Sequence, residues 1–253
     1  MISHRYKCIF IEVPKTGSTS IRAIIGEPPR PHQNIWQIKH ELENCWTRYG
    51  GVGNKILASC YLLLPLERRQ AIGRDLFNRY LKFGFVRNPW DRAVSLYERR
   101  EGQQVRDKMT FEQFVTGLKY SSSTCIHPMP HRNQLDWFVD PDGRVLVDFI
   151  GRFENIEEDW AFIARKLGVQ TQVPHLNLNP ARTKPYTAYY TPRTRQIIGE
   201  RFKEDIDYFG YEFEAETDAD RRQKLGCERV QAHSAPGTLR SRGSPDPKCP
   251  PAA

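Results

Sequence analysis

Residues 7–26 place the tightest constraint on this chain. An apolar, β-branched run, KCIFIEV, stops at Pro14, the small-residue loop KTGSTS follows, and Ile21, Ile24 and Ile25 then recur at helical spacing. That order reads as buried strand, loop, helix. A loop of this kind exposes several backbone N–H groups, and the helix N-terminus adds positive potential. Gly17 allows close approach to the backbone, Ser18, Thr19 and Ser20 offer hydroxyls, and Lys15 brings a mobile positive charge. The segment therefore reads as a cradle for phosphate or sulfonate. The plain alternative is an ordinary strand-to-helix turn capped by a Ser or Thr. Lys15 precedes the glycine rather than following it, so the GxxxxGK[ST] pattern of nucleoside triphosphatases is absent.

The same alternation returns further on. Residues 81–86, LKFGFV, predict a second buried strand stopped by Asn88-Pro89, and residues 145–150, VLVDFI, a third. Helices are expected over 37–48, 64–79, 91–100, 110–118, 154–167 and 192–209, with a long loop over 173–190. Strands alternating with helices imply an α/β fold of three layers, a central, mostly parallel sheet flanked by helices on both faces. Ligands in such folds sit at the carboxyl ends of the strands. Arg87 falls there, just past the second strand, where its planar fork can hold a phosphate bidentately. Ser95, eight residues on, can add a hydroxyl. Trp90 either underlies a nucleotide or fills the core. The competing reading pairs Arg87 with Asp91 and leaves Ser95 incidental.

With both segments in view, PKTGSTS after one strand and VRNPWDRAVSLY after a later one resemble the two cofactor motifs of the Golgi-type carbohydrate sulfotransferases and their bacterial relatives. The likeness extends to VDFIGRFENI (147–156) and YFGYEF (208–213), and so covers residues 7–213. It implies a P-loop-containing fold and 3′-phosphoadenosine 5′-phosphosulfate (PAPS) as sulfuryl donor, with PAP as product. Lys15, Thr16, Gly17, Ser18, Thr19 and Ser20 would hold the 5′-phosphosulfate, and Arg87 and Ser95 the 3′-phosphate. Arg182, Thr183, Lys184 and Tyr186 occupy the place of a late loop that closes over the cofactor in the family, matched by position only. Glu12 departs from relatives that carry a neutral residue or histidine. It either contacts the acceptor, acts as a base, or is buried in an ion pair.

Sulfuryl transfer needs in-line geometry and charge stabilisation more than covalent catalysis, and no metal. The acceptor, a hydroxyl of a carbohydrate or glycoconjugate on this resemblance, must lose a proton to a His or a carboxylate. His40, between the two cofactor motifs, is the first choice. His131 is second, in a HPMPHRNQ loop that resembles an acceptor-contacting segment of the relatives, and His127 could serve equally. A surface or structural role stands beside catalysis for each.

Composition narrows the remaining classes. Across 253 residues, 39% hydrophobic and 11% aromatic content supports one domain, residues 1–213, while the polar Pro/Ser/Arg-rich stretch 214–253 reads as a disordered tail. The net charge of +8 favours an anionic partner, possibilities being the nucleotide and an acidic glycan. Lys and Arg are spread along the chain rather than gathered on a stripe, which argues against nucleic acid. The six cysteines form no CxxC or zinc-ligand spacing and read as free thiols in a reducing compartment. With no signal peptide and no apolar run long enough to span a membrane, the chain reads as soluble, cytoplasmic and bacterial. Two other functions remain open: a small-molecule kinase, and a non-catalytic module binding anionic glycans.

Overall fold

The computed structural model describes residues 1–26, 32–44, 63–98, 109–117, 133–170, 172–174 and 184–213. Four strands, β1 (Ile2–Ser3), β2 (Cys8–Ile11), β3 (Leu81–Val86) and β4 (Phe149–Arg152), lie side by side in chain order. β1 runs antiparallel to β2, whereas β2, β3 and β4 are parallel. Cys8 faces Leu81, Ile11 faces Gly84, and Val86 faces Arg152, so the loops after β2 and β3 leave the same edge of the sheet. The described helices are α1 (Ser18–Ile25), α2 (Ile35–Glu43), α3 (Leu66–Arg79), α4 (Pro89–Tyr97), α5 (Phe111–Thr116), α6 (Ile156–Leu167), α7 (Pro192–Arg201) and α8 (Lys203–Phe209).

The pleat divides the core in two. Cys8, Phe10, Phe83 and Phe85 pack on one face with Ile21 and Ile25 of α1 and Trp160 and Ile163 of α6. Ile9, Ile11, Val13 and Val86 pack on the other, under Ile35, Ile38 and Leu42 of α2, Phe77 of α3 and Val94 of α4. Each such side chain contributes roughly 1.5–3 kcal/mol by leaving water. The sheet is thus covered on both sides, as the alternation of strands and helices implies, and its flanked, mostly parallel form fits a P-loop-type fold. Helix α3 lies close on α2: a Cβ at Gly73 would stand 1.9 Å from the Leu42 carbonyl oxygen.

Some expected boundaries moved. The third strand begins four residues later than the apolar run at 145–150, because Val145 forms an antiparallel bridge to Val139 and the Leu146 N–H donates to the Phe138 carbonyl. The helix expected over 192–209 is two, broken at the buried Phe202. The expected loop over 173–190 contains one short helical turn, Tyr186–Tyr189. Cys8 is fully buried. The other cysteines and the 214–253 tail lie outside the described residues. No helix among the described residues is long and apolar enough to cross a membrane.

Candidate active site

Three successive carbonyls of the loop after β2 are held by inward donors. The Thr16 hydroxyl donates to Val13 at 2.9 Å, Arg92 Nε to Pro14 at 3.1 Å, and Arg87 Nη1 to Lys15 at 3.2 Å. Lys15 takes a left-handed conformation, φ 70°, at a cost of about 1–2 kcal/mol for a residue with a side chain. Gly17 follows at φ 81° and is the N-cap of α1. Any side chain there would also collide with Ile156 Cδ1, at 2.7 Å from a Cβ, and with Phe153. A glycine cap gives no side-chain acceptor, and the N–H groups of Ser20 and Ile21 turn to the Gly17 carbonyl. The first-turn N–H groups of Ser18 and Thr19 are left for an external acceptor. Among the described residues, the hydroxyls of Ser18 and Ser20 are not engaged either.

Arg87 reaches this loop from the end of β3. Its guanidinium lies 4.0 Å over the Phe153 ring, and its Nε and Nη2 both reach Asp91 Oδ2. The Asp91 pairing is the one that the competing sequence reading expects, and beside it Nη1 reaches the Lys15 carbonyl. Asn88 caps α4 by accepting from the N–H groups of Trp90 and Asp91, and Pro89 starts the helix. Ser95 lies one turn beyond Asp91 and is half-buried. Trp90 fills the core: it is buried, its indole N–H donates to the Arg195 carbonyl, and its ring meets Phe213 edge-on. Two positive centres, uncapped helical N–H groups and available hydroxyls form a donor set suited to phosphate groups.

The RFEN segment after β4 locks the two halves together. Phe153 sits against both Gly17 and Arg87. Glu154 accepts from the Asn88 N–H at 2.6 Å and from the Tyr211 hydroxyl at 3.2 Å. Burial pushes its carboxyl above the usual carboxylate range, against the opposing pull of the Asn88 N–H and the Arg87 charge. Burial, then the neighbouring Glu154, likewise push the Tyr211 hydroxyl well up.

One histidine that the sequence did not single out stands at this edge of the sheet. His32 Nδ1 lies 2.7 Å from the Glu12 carbonyl oxygen, and its ring meets Trp137 edge-on. Bonding to a carbonyl requires the proton on Nδ1, so Nε2 of the neutral ring is an acceptor. The one local signal was its place between a proline-rich stretch and the Asn34/Gln37 capping box. Glu12 itself is buried and paired with Arg22 at 3.1 Å, the ion-pair alternative of the sequence reading. His40 is exposed on α2, and among the described residues no side chain bonds its ring. Lys184 is exposed, and Tyr186 is buried against Phe213. His127, His131, Arg182 and Thr183 lie outside the described residues.

Comparison with known proteins bears on the same residues. The sequence model of the sulfotransferase family matches residues 1–212. A protein of Archaeoglobus fulgidus described as uncharacterized is 33% identical over 120 residues, covering 47% of this chain and 92% of that one. Carbohydrate sulfotransferase 10 of Xenopus laevis is 22% identical over 246 residues, covering 83% of this chain and 66% of that protein. No solved structure matches the chain.

Proposed function

The chain belongs to the sulfotransferase family, and on that premise we propose that it moves the sulfuryl group of PAPS in line to a hydroxyl of a carbohydrate or glycoconjugate, releasing PAP. The observation that carries this reading is the 3.2 Å contact between Arg87 Nη1 and the Lys15 carbonyl, which joins a loop suited to a 5′-phosphosulfate and an arginine suited to a 3′-phosphate in one site. PAPS supplies an activated sulfuryl group on a phosphate leaving group. Lys15, the Ser18 and Thr19 N–H groups and the Ser20 hydroxyl balance the charge gathering on that phosphate, and Thr16 and Gly17 keep the loop in shape. Arg87 and Ser95 hold the 3′-phosphate, and Arg182 and Lys184 close over the nucleotide. His32 Nε2 takes the acceptor proton, in place of the His40 or His131 suggested by position in the sequence. The match to a carbohydrate sulfotransferase supports a sugar acceptor, and the net charge of +8 suits an acidic one.

Calorimetric titration with PAP tests the reading, followed by labelled transfer from PAPS across a panel of neutral and acidic sugars. Saturable PAP binding and labelled sugar are expected. Absence of PAP binding at high micromolar protein overturns it, as does ATP-dependent phosphorylation with no response to PAPS. So does salt-sensitive glycan binding that survives Lys15→Ala without any transfer.

A further inference from the structure

Gln134 belongs to the segment that the sequence reading assigned to acceptor contact, yet its side chain is fully buried beneath the site. Its Oε1 accepts from the Arg87 N–H at 2.9 Å, and its Nε2 donates to the Arg87 carbonyl at 2.8 Å. The amide thus pairs with both backbone groups of Arg87, as a neighbouring strand would. That matters because Arg87 is the first residue past β3, where ladder pairing with β4 has ended at Val86.

The orientation of the amide is set from a third element. Asp205 of α8 is fully buried, and its Oδ2 accepts from the Gln134 N–H at 2.7 Å and from Gln134 Nε2 at 3.3 Å. Its Oδ1 accepts from the Leu135 N–H at 3.0 Å. With three N–H groups directed at it, the carboxyl is an acceptor throughout, so Nε2 must face Asp205 and Oε1 must face the Arg87 N–H. Asp205 stands in the first turn of α8, which starts just after Phe202. Asp205 thereby fixes Gln134, Gln134 fixes the backbone of Arg87, and the Arg87 guanidinium is carried to Asp91, Phe153 and the Lys15 carbonyl.

Resting on the PAPS reading of this site, we propose that Gln134, held by Asp205, is the positioning residue that presents Arg87 to the 3′-phosphate. Its contribution is to recognition of that one phosphate and not to nucleotide binding as a whole. PAP and AMP differ only in the 3′-phosphate, so the ratio of their affinities isolates it.

The test is calorimetric titration of both nucleotides into the full chain and two variants. Gln134→Met keeps the length of the side chain without its amide, and Gln134→Asn keeps a buried amide too short to reach Arg87. Each variant is expected to lose about tenfold in PAP affinity, the order of one buried hydrogen-bonding group, while AMP affinity stays within about twofold. The asparagine variant carries the test if the methionine variant does not fold. A parallel fall for both nucleotides, or a PAP preference that persists, overturns the role of Gln134 alone. A wild-type protein that binds PAP no better than AMP overturns the PAPS reading, and this inference with it.

Discussion

Arg87 and Asp91 stand four residues apart and meet through a single oxygen, Asp91 Oδ2, which accepts from Nε of the guanidinium at 2.7 Å and lies 2.7 Å from Nη2. The same planar group stacks at 4.0 Å on Phe153 and sends Nη1 to the Lys15 carbonyl. One flat, forked cation satisfies three neighbours in three directions, which an ammonium on a flexible stem does not do.

Arg87→Lys therefore keeps the charge and loses the geometry. We expect PAP affinity to fall by about tenfold or more, with little change for AMP, and Arg87→Ala to abolish transfer as well. Calorimetry and initial rates report the two effects. Wild-type PAP affinity in the lysine variant would mean that the site reads charge alone.

Lys15 separates activity from stability. Its left-handed backbone, φ 70°, is tolerable for glycine and strained for any residue with a Cβ. Lys15→Gly is expected to match or exceed the wild type in stability, by up to about 1 kcal/mol, while transfer falls by about 100-fold or more. Lys15→Ala, which loses the charge and keeps the strain, should be the less stable of the two. Denaturant midpoints beside initial rates make the comparison. An alanine variant more stable than the glycine variant would contradict the left-handed assignment.

The parts of the fold that the sequence disclosed are those fixed by local chemistry. LKFGFV became β3 at the expected bounds because an apolar run ended at a proline can be little else. The PKTGSTS loop was legible for the same reason. Less legible were features whose cause lies far along the chain. Val145 looks like strand sequence, and its partner Val139 diverts it from the sheet. The two helices over 192–209 meet at the buried Phe202, with neither glycine nor proline there to mark the break in the sequence. Gln134 and His32 read as loop residues because each bonds a backbone group, Arg87 and the Glu12 carbonyl, that no side-chain pattern marks.

Glu154 should leave a signature in stability against pH. Burial raises its carboxyl in the folded protein, so the native state holds that proton more tightly than the unfolded chain does. The resulting stabilisation is fully present below the ordinary carboxylate range and is lost as pH rises through the elevated value. Asp159 and Asp205 are raised by burial in the same sense, so the wild type alone would not resolve one group. Glu154→Gln does: its amide can accept from the Asn88 N–H and donate to the Tyr211 oxygen without titrating. Across that window the unfolding free energy of the variant, measured by denaturation, should rise relative to the wild type and then level off. A constant difference would mean that Glu154 titrates normally.

His32 carries the last and most direct test of the chemistry. Its Nδ1–H is committed to the Glu12 carbonyl, so its role in transfer rests on Nε2 alone. His32→Asn can keep a donor near the Nδ1 position, and with it the local bond, while removing Nε2. If His32 accepts the proton of the sugar hydroxyl, the single-turnover rate should fall by about 100- to 10,000-fold. PAP affinity should stay at the wild-type level, because the ring makes no contact assigned to either phosphate. The same rates for His40→Ala and His131→Ala rank the three histidines, with the largest loss expected at His32. A rate that survives His32→Asn but collapses at His40 or His131 would move the base to that residue, leaving the nucleotide site where Lys15 and Arg87 define it.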